Sequence, residues 1–151
     1  SVSGTGEVLT NWDALKRKEK HQATHTDALD AVARSLPALW RAEKVQKKAK
    51  KAGFDWPDVS GALDKLSEEL SEFKAAVAGN GNVEEELGDL LFSAVNAARF
   101  VKVDPEAALQ KATEKFIARF RRVEELAAGR PMEDMDLAEL DKLWEQAKHE
   151  A

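Results

Sequence analysis

Leu63, Leu66, Leu70, Phe73 and Val77 recur at intervals of three and four. That spacing lines one face of an α-helix and neither face of a strand. The same period returns in Leu109, Ala112, Phe116, Phe120 and Val123. No stretch alternates apolar and polar residues as a half-buried strand would, and no internal repeat or glycine-rich phosphate loop is present. Proline and glycine number only 4 and 8, so helices can run long between them. The pattern predicts an all-α fold, an antiparallel helical bundle of about four core helices plus a short N-terminal helix.

The punctuation sets the boundaries. Residues 1–34 are expected to be a flexible leader and linker, with a short charged helix from Asn11 to about Lys20 and an unsettled stretch from His21 to Arg34. Residues 35–151 are expected to form the helical domain. Ser35 is expected as the N-cap of its first helix, with Pro37 in the first turn and Gly53 at the end. Asp58 or Ser60 opens the second, which ends near Gly79. Asn82 caps the third, from Val83 to about Lys102. Asp104-Pro105-Glu106 starts the fourth, which stops at Gly129. Asp136 with Glu139 forms a capping box for the last, about Leu137 to His149. The start at Ser1, without methionine, reads as a tag scar, a processed end or a cut from a longer polypeptide.

Composition excludes several kinds of function. There is no cysteine among the 151 residues, which removes disulfides, zinc thiolate sites and thiol nucleophiles. The longest uncharged run, Leu90 to Ala98, is too short for a membrane span. The net charge of −5 argues against non-specific nucleic-acid binding. A cytoplasmic protein without membrane or nucleic-acid partners is the expectation.

Chemistry concentrates in two acidic motifs on consecutive predicted helices. Glu69 and Glu72 stand three residues apart in Glu68-Glu69-Leu70-Ser71-Glu72, as do Glu86 and Asp89 in Glu86-Leu87-Gly88-Asp89. At about 100° per residue each pair shares a helix face. The turn Gly79-Asn80-Gly81 makes the two helices antiparallel neighbours, so the pairs can face one another. Glu68, Glu84 and Glu85 are read as solvated. The charge-free run after Asp89 suggests that the third helix is buried nearly all round. Glu86, Asp89, Ser93 and Asn96 then form a polar stripe that needs partners.

Four carboxylates within about 5 Å repel by about 3 kcal/mol per pair at an effective dielectric of about 20, or roughly 20 kcal/mol for the set. A whole domain has only about 5–15 kcal/mol of stability. Either the site is protonated, or the pairs do not meet, or cations sit between them. An all-oxygen ligand set favours Mg²⁺, with Mn²⁺ as a substitute, over Zn²⁺. Magnesium keeps waters and recruits phosphate oxygens, so the substrate expected is a phosphate ester or anhydride.

Other groups are candidates for holding such a substrate. Lys115, Arg119 and Arg122 make a basic stripe opposite the apolar face of the fourth helix, with a solvated face as the plain alternative. Lys44 is the one lysine singled out from the basic first core helix. Trp144 is more often core than ligand-binding. His21 and His25 have the spacing of a metal pair but lack a third ligand, and are set aside.

Taken together, several strings resemble the MazG nucleotide pyrophosphohydrolases of the all-α NTP pyrophosphatase superfamily. They are Leu36-Pro37-Ala38-Leu39, Gln46-Lys47-Lys48-Ala49, Gly53-Phe54-Asp55-Trp56-Pro57, Glu84 to Phe92, Asn96-Ala97-Ala98-Arg99 and Ala108 to Ala112, besides the acidic motifs. The resemblance covers about Leu36 to Trp144 and makes 35–151 the expected catalytic domain. It implies metal ligation by Glu69, Glu72, Glu86 and Asp89, phosphate or nucleotide contacts from Lys115 and Arg119, and a nucleotide-binding role for Trp144. Asn96 and Lys44 are carried with them as substrate-binding candidates. It implies Mg²⁺-dependent hydrolysis of nucleoside triphosphates to monophosphate and pyrophosphate, and a tight homodimer. The chain looks like the C-terminal one of two tandem domains. Three rivals stand beside this expectation: a narrower dUTP or dCTP hydrolase, a non-catalytic helical interaction domain, and a nucleic-acid module using the lysine-rich helix.

Overall fold

Residues 5–19 and 24–150 are described by the computed structural model, and every regular element among them is helical. His21 and the first four residues lie outside the described residues. The helices are α1 (Thr5–Glu19), α2 (His25–Asp30), α3 (Ala38–Lys51), α4 (Val59–Val77), α5 (Val83–Phe100), α6 (Pro105–Leu126) and α7 (Leu137–His149), with a 3₁₀ turn at Met132–Asp134. Two compact units emerge, Ser1–Glu106 and Ala107–Ala151.

In the first unit α5 is the central element, packed on α4 along its length and on α3, which in turn meets α2. Capping chemistry explains where these helices begin. Thr24 and Asp27 form a reciprocal capping box on α2. Asp58 accepts from the Ser60 N–H at 2.8 Å, and Asn82 accepts from the Glu85 N–H at 3.1 Å. Each satisfies a donor that the first helical turn leaves open. Ser35 is not the cap expected for α3. Pro37 takes that position with φ −49° and ψ 140° and no side-chain cap. Proline disfavours helical geometry in the residue before it, so Leu36 resists the first helical position that a Ser35 cap would require.

The expectation that α5 is buried nearly all round is also corrected. Ser93, Val95 and Ala97 are buried, but Leu91 is 50% and Phe92 47% exposed. Two packed neighbours cover one side of a helix and leave the other apolar side open.

The second unit holds most of α6 together with α7. Phe116 packs on Trp144 with ring centroids 5.2 Å apart and on Phe120 at 6.1 Å. Val123 and Ala147 complete its buried contacts. The expected capping box of α7 is present, with Glu139 N–H donating to Asp136 at 2.8 Å and Asp136 N–H to Glu139 at 3.1 Å.

Candidate active site

Helices α4 and α5 run antiparallel because only Ala78 to Asn82 connect them. Gly79, at φ +105°, turns the chain. It supplies the left-handed residue of a Schellman closure in which the Asn80 N–H donates to Ala75 at 2.9 Å. The acidic faces of the two helices meet. Carboxylate oxygens of Glu69, Glu86 and Asp89 come within 4.8 Å of one another. Glu72 lies beside Glu86, whose carboxyl feels its charge.

This is an unusual place for carboxylates. Glu69 is only 5% exposed. Its Oε1 lies 2.8 Å from the Lys65 ammonium, while its Oε2 is buried without a partner, as is Glu86 Oε2. Burial pushes the Glu86 carboxyl above the usual range, and the charges of Glu72, Asp89 and Glu69 push it further. The contact with Glu69, helped by Glu68, raises the Lys65 ammonium well above its ordinary value. One lysine does not neutralise four acids. Two orphaned buried oxygens amid clustered negative charge fit a divalent cation, and all-oxygen donors suit a hard one. Lys65 was not singled out from the sequence, though its position four residues before Glu69 was a usable signal.

The remaining candidates are spread over both units. Asn96 lies on α5 two turns beyond Asp89, half-buried, its Oδ1 accepting from Arg99 Nη2 at 2.7 Å and Nε at 3.1 Å. Arg99 also grips Asp55 with two parallel bonds of 3.0 and 2.6 Å. Lys44 is exposed on α3 and lines a cavity of about 620 Å³ with Leu36, Trp40, Lys47 and Lys102. Lys115, Arg119 and Trp144 belong to the second unit. Lys115 is exposed, Arg119 has a buried Nε without a partner, and Trp144 is stacked on Phe116. Arg122 is occupied by ion pairs to Glu150 at 2.6 Å and Glu125 at 3.0 Å.

Among the described residues a further polar group was missed. Gln46 is 6% exposed on the inner face of α3. Its Nε2 donates to the Phe92 carbonyl at 2.9 Å and its Oε1 has no partner. The available signal was an amide on the apolar side of the helix, among Leu39, Ala42 and Ala49.

Known proteins are similar to this chain over most of its length. Residues 57–123, which include all four acids, match the family pattern of the MazG nucleotide pyrophosphohydrolase domain. The chain is 43% identical over 156 residues to a protein of Escherichia coli K12 named nucleoside triphosphate pyrophosphohydrolase, covering 99% of this chain and 59% of that protein. It is 43% identical over 145 residues to the nucleoside triphosphate pyrophosphohydrolase/pyrophosphatase MazG of Thermotoga maritima, covering 95% and 56%. A Bacillus subtilis protein called YabN is 45% identical over 152 residues, covering 97% and 31%. The chain thus spans somewhat more than half the length of the first two relatives.

Proposed function

The chain belongs to the MazG nucleotide pyrophosphohydrolase family through the domain at residues 57–123, and on that premise we propose that it hydrolyses nucleoside triphosphates to nucleoside monophosphate and pyrophosphate. The observation that carries this reading is the convergence of Glu69, Glu86 and Asp89 oxygens within 4.8 Å, with Glu72 against Glu86. These four side chains would hold Mg²⁺, for which Mn²⁺ is a substitute. Bound there, such an ion supplies Lewis-acid polarisation of phosphate oxygens and a more acidic water.

The protein's own groups do the rest. A carboxylate of the cluster, Glu72 or the neighbouring Glu68, orients the attacking water and accepts its proton. The water oxygen bonds to the α-phosphorus while the bond to the bridging oxygen breaks and pyrophosphate leaves. Lys115 and Arg119 are read as offsetting phosphate charge as it builds in the transition state. Lys44, Asn96 and Trp144 are read as substrate contacts. A cytoplasmic setting is part of this reading. Among the described residues no helix is long and apolar enough to cross a membrane.

The test is pyrophosphate release from every canonical NTP and dNTP, with and without Mg²⁺. Metal-dependent release from many of them is expected. Release confined to dUTP or dCTP would narrow the activity. No release together with no Mg²⁺-dependent thermal shift would replace the enzyme with a helical interaction domain. Glu69→Gln and Asp89→Asn are each expected to cut turnover on the order of a hundredfold or more while leaving the helical circular dichroism intact. Full activity in either variant would remove the assignment.

A further inference from the structure

Lys65 stands on α4 one turn before Glu69. Its Nζ lies 2.8 Å from Glu69 Oε1 and 3.3 Å from Glu68 Oε1. Side chains on a helix lean toward its N-terminus, so Glu69 is tilted back toward Lys65. The three partners differ in exposure. The Lys65 side chain is 40% and the Glu68 side chain 55% exposed, but the Glu69 side chain only 6%. A lysine–glutamate pair one turn apart on a wet helix face contributes little. This one ends on a buried carboxylate.

The contact divides the two oxygens of Glu69. Oε1 is taken by the ammonium, while Oε2 is buried without a partner. Glu69 shares the acidic cluster with Glu86 and Asp89, one carboxylate oxygen of each lying within 4.8 Å of the others. Glu86 Oε2 is likewise buried and unpartnered. With Oε1 held, Glu69 has one oxygen left to offer. That number bears on which ion the cluster accepts. Mg²⁺ takes about six oxygens in a tight octahedron and keeps several of them as water. Ca²⁺ takes roughly six to eight oxygens at longer range and uses both oxygens of a carboxylate readily. A glutamate limited to one donor atom suits the smaller ion and serves the larger one poorly.

We propose that Lys65 is a positioning residue of the metal centre: by holding Glu69 Oε1 it keeps that glutamate a one-oxygen ligand and biases the cluster toward small divalent cations over Ca²⁺. The proposal rests on the metal-dependent reading above and deepens it, because it assigns the choice of ion to a residue that acts through Glu69. The plain alternative is a helix-surface ion pair, which adds some stability and leaves the choice of ion untouched.

Its test does not depend on turnover. Calorimetric titration of Mg²⁺ and of Ca²⁺ into the full chain, without nucleotide, gives the ratio of the two affinities. Lys65→Met keeps the aliphatic stem and loses the ammonium. It is expected to shift that ratio about tenfold toward Ca²⁺, the scale of effect seen when a group that orients a metal ligand is removed. Lys65→Arg, which keeps a donor on Oε1, is expected to hold the wild-type ratio. A ratio unchanged in Lys65→Met, or shifted as far in Lys65→Arg as in Lys65→Met, overturns the proposal. So does an unchanged ratio with a melting temperature lowered equally with and without metal, which is what a purely structural pair gives. Should Lys65→Met lose its helical circular dichroism, Lys65→Ala decides the matter. Pyrophosphate release with an unchanged ratio would sink the role of Lys65 and leave the enzyme. A shifted ratio without release from any triphosphate would sink the enzyme reading and leave Lys65 as the residue that sets the ion. A wild type that binds neither ion would sink the positioning role together with the metal centre.

Discussion

Arg99 shows how much one side chain can organise. Its guanidinium makes four bonds, two to Asp55 and two to Asn96, with the arginine side chain 6% and the aspartate 13% exposed. The guanidinium holds the Asp55 carboxyl below the usual carboxylate range. A lowered folded-state value means that the pair contributes stability fully above the unfolded value, about pH 3.9, and loses it as pH falls through the folded value. Melting temperature is therefore expected to drop on acidification below about pH 4, and Asp55→Asn should flatten that part of the profile. Asp55→Ala leaves a buried guanidinium half unpaired and is expected to cost about 3 kcal/mol in urea denaturation. A loss under about 0.5 kcal/mol would show that the clamp is solvent-screened. At this scale the acids were legible in the sequence, because a three-residue spacing is helix geometry and needs no tertiary knowledge. Gln46 was not: its orphaned oxygen exists only because α5 presents a backbone carbonyl to it.

Between residues and fold, helix ends carry most of what the sequence disclosed and most of what it concealed. Asn82 and the Asp136–Glu139 box were readable because capping is local, as was Asp58, one of the two openings weighed for α4. Pro37 displaced Ser35 because the restriction on the residue before proline outweighs a serine's capping preference. The end of α5 is more instructive. Lys102 sits at φ +58° in a Schellman closure, with Val103 N–H donating to Ala98 at 3.0 Å. A side chain in that conformation costs about 1 kcal/mol. Lys102→Gly is expected to raise the melting temperature by about 2–4 °C, measured by calorimetry, and an unchanged or lower value would contradict it. Gly61 on α4 is the opposite case. An added Cβ would stand 2.9 Å from the Trp56 ring, so Gly61→Ala must push the indole off the helix. That variant is expected to melt at a lower temperature while keeping its helical circular dichroism, because overpacking against a ring costs about 1–3 kcal/mol, and an unchanged melting temperature would show that the indole moves aside freely.

For the whole molecule, the apolar surface says more than the core. Among the described residues no large side chain is fully buried, while Leu63, Leu70 and Val77 on α4 are 48%, 41% and 64% exposed. Their seven-residue spacing puts them on one face. Val83, Leu87 and Leu91 repeat at four-residue intervals on α5, all at least 41% exposed. A helix period in the sequence identifies an apolar face without revealing whether that face meets its own chain or another, which is why α5 looked enclosed and is not. Monomeric proteins seldom leave apolar faces of two packed helices open to water. A second copy of the chain is the proposed cover, since two such faces related by a two-fold axis complement themselves. Light scattering should then give twice the 16.7 kDa chain mass at micromolar concentration. Placing charge on both faces with Leu63→Glu and Leu91→Glu should halve that mass and lower the melting temperature, since folding and association are linked. A wild type that elutes at the single-chain mass over the whole concentration range would mean that these leucines face water or another partner, and the homodimer would fall without touching the acidic site.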